Sequence, residues 1–225
     1  MRDATFFQVR ASNLREQVVE QVRAAIIQGH LKPGDHIVEA NLTEQLGVSR
    51  TPVREALILL EREGLVIAEP HRGSFVKAFT QEEVDAVFSM RTTLENFAAE
   101  RVTKTLTEDD FARLNALIAE QKRYIEQDDF EQVRITDMAF HSLLIEKANH
   151  PLLTRAWQEL VAQIAAVLYL RADAIPDYDE MQAIGDHQVI LEALQARDLA
   201  SVKAHNARIN ARVADECRRG VEGKG

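Results

Sequence analysis

Asp137 and His141 stand four residues apart in RITDMAFHSLL, and on a helix that spacing sets a carboxylate and an imidazole on one face, one turn apart. Such a pair can hold one divalent metal ion, and its mixture of oxygen and nitrogen donors suits Zn, Ni, Mn or Fe. His187, in GDHQVILEAL, is a third candidate, with Val189, Ile190 and Leu194 on the same segment. The surroundings of the first pair are apolar too (Ile135, Met138, Phe140, Leu143 and Leu144), so these polar groups belong to largely enclosed helices. On spacing alone the alternative stays open that each histidine is a hydrogen-bonded structural residue. No HExxH helix, Gly-x-Ser-x-Gly elbow or phosphate-cradling Gly loop accompanies them, so turnover has no supporting motif.

A second group suits nucleic acid. Ser49, Arg50 and Thr51 precede Pro52, and Arg54 follows one turn on. Guanidinium groups pair bidentately with phosphate or with the O6/N7 edge of guanine, while hydroxyls and free backbone N–H groups suit phosphate oxygens.

The elements that must position these residues can be read from periodicity. In NLTEQLGVSRTPVREALILLEREG, Asn41 is expected to cap a short helix that Gly47 ends. Ser49 is expected to cap a second one, with Pro52 in its first turn and Gly64 as its stop. Val53, Ala56, Leu57 and Leu60 give that second helix one buried stripe. Two short helices around a tight turn make a helix-turn-helix, whose second helix enters the DNA major groove. Residues 14–28 predict an amphipathic helix ahead of it, and LVIAE and SFVKAF predict a hairpin wing behind it. Arg72 and Gly73 fall at the tip of that wing.

Thr80 with Glu83 forms a capping box and marks a domain boundary. Beyond it no segment has strand periodicity. Helices are expected over roughly 81–104, 108–127, 129–148, 151–171, 178–196 and 199–218, with a break at 174–177. The fold class is therefore mainly α: a winged helix-turn-helix over 1–79 and an all-α helical bundle over 80–225.

Composition fits this division. Hydrophobic residues make up 46% and charged ones 28% of 225 residues, as in globular proteins. No apolar run approaches the roughly 20 residues that span a membrane. Cys217 is the single cysteine, so an internal disulfide is excluded and a cytoplasmic setting is the expectation. The net charge of −9 lies wholly in residues 80–225, because residues 1–79 balance ten Lys/Arg against ten Asp/Glu. A neutral DNA reader must depend on local placement of its arginines, which favours a dimer that doubles the phosphate contacts.

GHLKPGDHIVEANLTEQLGVSRTPVREALILLEREGLV, followed by PHRGSFV, resembles the winged helix of GntR-type bacterial transcription regulators. MRTTLENFAAE, TDMAFHSLLIEKANHPLL and DHQVILEALQARD resemble the FCD-type effector domain of the FadR branch. The resemblance implies a homodimeric regulator, a repressor, that binds a palindromic double-stranded DNA operator and responds to a small organic acid held beside a metal. Its DNA contacts would fall on Ser49, Arg50, Thr51, Arg54 and Gly73. Its metal ligands would be Asp137, His141 and His187, and the effector carboxylate would meet Arg91, with Arg134 as a second candidate. The family's further histidine, 22 residues after the one matching His187, is Ile209 here. Either His205 substitutes from one turn away, or three protein ligands are completed by water or effector, or metal is weak or absent. The rival reading is a metal-dependent enzyme with an accessory DNA-binding domain.

Overall fold

Glycines in the left-handed region set the punctuation of the N-terminal part. Gly29, Gly47 and Gly64 take φ of 74°, 64° and 72°, ending three helices in turn. The computed structural model describes residues 14–175 and 179–222, and the chain divides after Lys77 into two units.

The first unit comprises α1 (Leu14–Ile27), β1 (His36–Ile37), α2 (Glu39–Leu46), α3 (Arg50–Arg62), β2 (Val66–Glu69) and β3 (Gly73–Val76). Val18, Val19, Val22 and Ile26 of α1 and Val53, Ala56, Leu57 and Leu60 of α3 supply its core. Arg23 clasps the end of α3, its Nε and Nη2 donating to Glu63 at 2.9 and 2.6 Å. The expected hairpin forms with Val66 opposite Val76, and β1 adds a third antiparallel strand in the order β1-β3-β2. That third strand has only two residues, too few for a periodicity signal.

Two expected caps differ. The helix α2 starts at Glu39, with Val38 in the capping position, so Asn41 lies within the helix. The carbonyl of Val38 accepts from the backbone N–H of both Asn41 and Leu42, fixing the turn earlier than the Asn signal implied. Ser49 does sit in the capping position of α3, extended at φ −74° and ψ 169°, but its side chain makes no capping bond.

Gly73, at φ 102°, lies under the His36 ring, which stacks on Phe75 with centroids 4.8 Å apart. A Cβ on Gly73 would meet His36 Nε2 at 2.8 Å. Gly73→Ala is therefore expected to destabilise the winged unit by about 1–3 kcal/mol through backbone strain, with the ring clash in addition. Chemical denaturation read on this unit's transition checks it; an unchanged midpoint would show that the wing relaxes freely.

The second unit holds α4 (Gln81–Val102), α5 (Glu108–Glu126), α6 (Phe130–Lys147), α7 (Pro151–Ala174), α8 (Met181–Gln195) and α9 (Leu199–Glu222). Five of these six starts are fixed by side-chain caps. Thr80 and Glu83 form the reciprocal capping box of α4, and Thr107 and Asp110 that of α5. Asp129 accepts from Gln132 N, His150 Nδ1 from Leu153 N, and Asp198 from Ser201 N. Pro151 occupies the first turn of α7, where a missing N–H costs nothing. Arg197 ties two turns together, donating to the carbonyls of Thr103 and Leu106 at 2.8 and 2.7 Å. The break expected around Pro176 lies partly outside the described residues. The helix α4 packs along α9 and against α6 and α7, while α5 packs on α6 and α8. These contacts bring one face from each of five helices to a common centre.

Candidate metal and ligand site

That centre is polar. Arg91 and Glu95 of α4, Gln121 of α5, His141 of α6, His187 of α8 and Asn210 of α9 are all buried, though each sits among apolar neighbours. Asp137 of α6 joins them at the edge of a cavity of about 40 Å³. One ligand atom from each of Asp137, His141 and His187 lies within 4.8 Å of the others, so the three sequence candidates converge.

The hydrogen bonds around them fix the tautomers. His187 Nδ1 lies 2.9 Å from Gln121 Oε1, an oxygen that only accepts, so Nδ1 carries the proton and Nε2 holds a lone pair. Gln121 keeps that orientation because its own Nε2 donates to Asp137 Oδ1 at 3.3 Å. His141 Nδ1 lies 2.9 Å from Glu95 Oε1 and donates to that carboxylate, leaving its Nε2 as an acceptor as well. The two Nε2 atoms face each other at 3.2 Å, and His187 Nε2 is 3.4 Å from Asp137 Oδ1. Three electron-pair donors therefore converge with no proton among them, although the His141 Nε2 lone pair also accepts from Arg91 Nη2 at 2.7 Å.

This arrangement suits a cation. Metal–ligand bonds of about 2.1 Å place neighbouring donors roughly 3.0–3.4 Å apart in octahedral or tetrahedral sites. Metal-bound imidazoles also present their second N–H to a carboxylate or carbonyl oxygen, as His141 and His187 do to Glu95 and Gln121. Two imidazoles and one carboxylate with open positions suit Fe, Mn, Ni or Zn. The residues present fit a divalent ion.

Electrostatics keep the donors in the required forms. Burial pushes His187 down to about 3, so its ring is neutral and its lone pair available. Burial alone would raise the Asp137 carboxyl, but the neighbouring imidazoles and Arg91 hold it below its ordinary value. Burial likewise opposes ionisation of Glu95, and the Arg91 guanidinium beside it wins, keeping that carboxyl far below the usual range. Arg91 Nε donates to Glu95 Oε1 at 2.8 Å, and Arg91 Nη2 reaches His141 Nε2 at 2.7 Å. Asn210 Nδ2 donates to the other oxygen of Glu95 at 2.8 Å. The pair is thus satisfied on all sides, as a buried ion pair must be.

The other sequence candidates separate into two groups. Arg134 lies one turn before Asp137 on α6 and lines the same cavity, as does Ile209 of α9. His205 does not join the cluster. It sits half-buried one turn away on α9, with Nδ1 3.5 Å from Arg208, and the buried position facing the donors is Ile209. Substitution by His205 would need a shifted α9, and Asn206 and Asn210 instead anchor that helix to Asn96, Thr92 and Glu95 of α4.

Neither Glu95 nor Gln121 is marked by a motif. A faint signal existed for Gln121, since Phe111, Leu114 and Ile118 form a buried stripe that Gln121 continues with a polar group.

In the first unit Ser49, Arg50, Thr51, Arg54, Arg72 and Gly73 are all exposed. The first four share one end of α3. Arg54 Nε donates to Glu39 Oε2 at 2.8 Å, and Arg72 pairs with Glu69 while lying 5.2 Å from the Phe75 ring centre. Because Ser49 makes no capping bond, its hydroxyl is not spent on the helix start.

A winged helix-turn-helix followed by a helical unit with a buried polar centre, six helices among the described residues, is the build of a DNA-binding transcription regulator. Residues 14–76 match the bacterial regulatory proteins of the gntR family, and residues 86–211 match the FCD domain. The chain belongs to the GntR family, with an FCD domain as its helical unit. It is 29% identical over 186 residues to the HTH-type transcriptional regulator McbR of Escherichia coli K12, covering 83% of this chain and 84% of that one. It is 26% identical over 185 residues to the gluconate operon transcriptional repressor of Bacillus licheniformis, covering 81% and 76% of the two chains. Among solved structures, E. coli McbR/YncC matches with a TM-score of 0.77 at 29% identity, over 89% of this chain and 94% of that one. A GntR regulator from Rhodococcus sp. RHA1 gives 0.78 at 22% identity over 94% and 98%, a likeness of fold. These relatives are regulators by name, which favours regulation over the enzyme alternative. No helix among the described residues is long and apolar enough to cross a membrane.

Proposed function

We propose that the protein is a cytoplasmic, homodimeric repressor whose operator binding is modulated by a small organic acid in the helical unit. The observation that carries the reading is the convergence of His141 Nε2, His187 Nε2 and Asp137 Oδ1 beside the buried Arg91. A divalent ion at these donors would supply a positive centre to which a carboxylate binds directly. Were His141 Nε2 to hold the ion, Arg91 Nη2 would be released to donate to a carboxylate, with its Nε still on Glu95. Arg134 flanks the same cavity.

At the DNA, Ser49, Arg50, Thr51 and Arg54 lie at the major-groove end of α3, and Arg72 and Gly73 at the wing. Pairing two copies doubles the phosphate contacts of a unit without net positive charge and matches a palindromic site. Effector binding shifts occupancy only if it favours one dimer geometry over the other, and a few kcal/mol suffices.

Fluorescence anisotropy on DNA from the protein's own promoter region, with and without organic acids and divalent metals, tests the reading. Release of DNA by an acid is the expected result, and turnover of that acid by metal-loaded protein would restore the enzyme alternative. Arg54→Ala is expected to weaken operator binding by about 1–3 kcal/mol, the value of a bidentate base contact. The exposed Glu39 pair that Arg54 leaves on binding offsets little of this. Unchanged operator affinity would remove Arg54 from the interface.

A further inference from the structure

Four arginines line the cavity at the donor cluster, more than one carboxylate needs. Their partners distinguish them. Arg91 is held by Glu95, Arg212 by Asp186 and by Glu216 at 2.6 Å, and Arg171 meets Glu216 at 3.5 Å. Arg134 makes no hydrogen bond or ion pair among the described residues, although it is half-buried and faces the cavity. Burial disfavours its charge more than the surrounding Glu180, Tyr169 and Glu131 favour it, and the Arg171 guanidinium adds a smaller repulsion. Glu180 is the carboxylate on that side. It lies beyond ion-pairing distance of Arg134, and burial raises its carboxyl above the ordinary value.

The charges can be set out along the cavity. At the inner end, a divalent ion with Asp137 as its only anionic ligand leaves one positive charge. Arg134, on the same cavity wall, adds a second positive group, with Glu180 lining the cavity but not ion-paired to it. Arg134 and Asp137 lie on one face of α6 three residues apart, about 4.5 Å along the helix axis. The cavity, about 40 Å³, must widen for any organic acid to enter, and a short acid asks the least movement of its walls.

We infer that the effector is a short dicarboxylate, of three to five carbons, with one carboxylate at the Arg91 and donor-cluster end and the second on Arg134. This rests on the organic-acid reading and narrows it. The second carboxylate replaces the missing partner of Arg134 and lies between two guanidinium groups that otherwise repel. A monocarboxylate leaves that charge buried and unpaired.

Isothermal titration calorimetry of the full-length protein loaded with Mn²⁺ tests this, using malonate and succinate against acetate and propionate. Wild-type protein is expected to bind a dicarboxylate at least about tenfold more tightly than the monocarboxylates, equivalent to about 1.4 kcal/mol. In R134Q that ratio is expected to fall to within about threefold. R134K is expected to keep most of the preference, and it carries the test if R134Q fails to fold by circular dichroism. A preference that survives in R134Q, or wild-type protein that does not discriminate, overturns the dicarboxylate assignment alone. Binding of no carboxylate overturns the organic-acid reading and this inference with it.

Discussion

Replacing Glu95 with alanine is expected to destabilise the helical unit by about 3–5 kcal/mol, the cost of breaking a buried ion pair from one side. The carboxylate serves three helices at once. It accepts from Arg91 on its own helix, from His141 on α6 and from Asn210 on α9. Truncation leaves the Arg91 guanidinium buried without its counter-ion and the His141 Nδ1–H without an acceptor. Glu95→Gln keeps the shape and removes the charge, so a smaller loss is expected.

The two variants also predict a pH dependence. The folded Glu95 carboxyl lies below its ordinary 4.5, so its stabilisation is complete above that pH and shrinks as the pH falls below it. The stability gap between wild type and Glu95→Gln should therefore be widest near neutral pH and narrow in acid. Urea denaturation at pH 7 and pH 4 measures both effects. A gap that is small at pH 7 would mean that the Arg91–Glu95 pair is not held as described.

The second large effect concerns Ile209. It is 6% exposed, lines the cavity with the three donors, and places an aliphatic group where a fourth ligand would stand. Ile209→His is expected to raise divalent-metal affinity at least about tenfold, or about 1.4 kcal/mol. His187→Ala should abolish stoichiometric loading, since it removes the donor that faces both His141 and Asp137. Elemental analysis of chelator-free preparations, followed by chelator competition, measures both. If neither wild type nor Ile209→His retains metal, the three residues are an ordinary polar core.

The parts of this protein legible in its sequence are those with local causes. Capping boxes at Thr80 and Thr107 depend on residues three apart, so the starts of α4 and α5 could be read directly. The wing followed from two short strands around a turn. The start of α2 was less legible, because Val38 caps it through a backbone carbonyl that no residue type announces. Asp137 and His141 share a helix face, so their pairing was visible, whereas the meeting of His187 with Gln121 spans 66 residues. Glu95 was hidden for a related reason. A Glu four residues after an Arg is the usual pattern of an exposed helix pair, and only packing from α6 and α9 makes this one interior.

The sequence separations within the site carry a further implication for how the protein matures. Glu95 waits for Asn210, 115 residues later, and His141 for His187, 46 residues later. During synthesis the winged unit and the first helices emerge well before α9. A chain cut short before α9 keeps the whole winged unit yet lacks the helix that closes the polar centre. The polar centre is therefore completed only when α9 packs against α4 and brings Asn210 to Glu95.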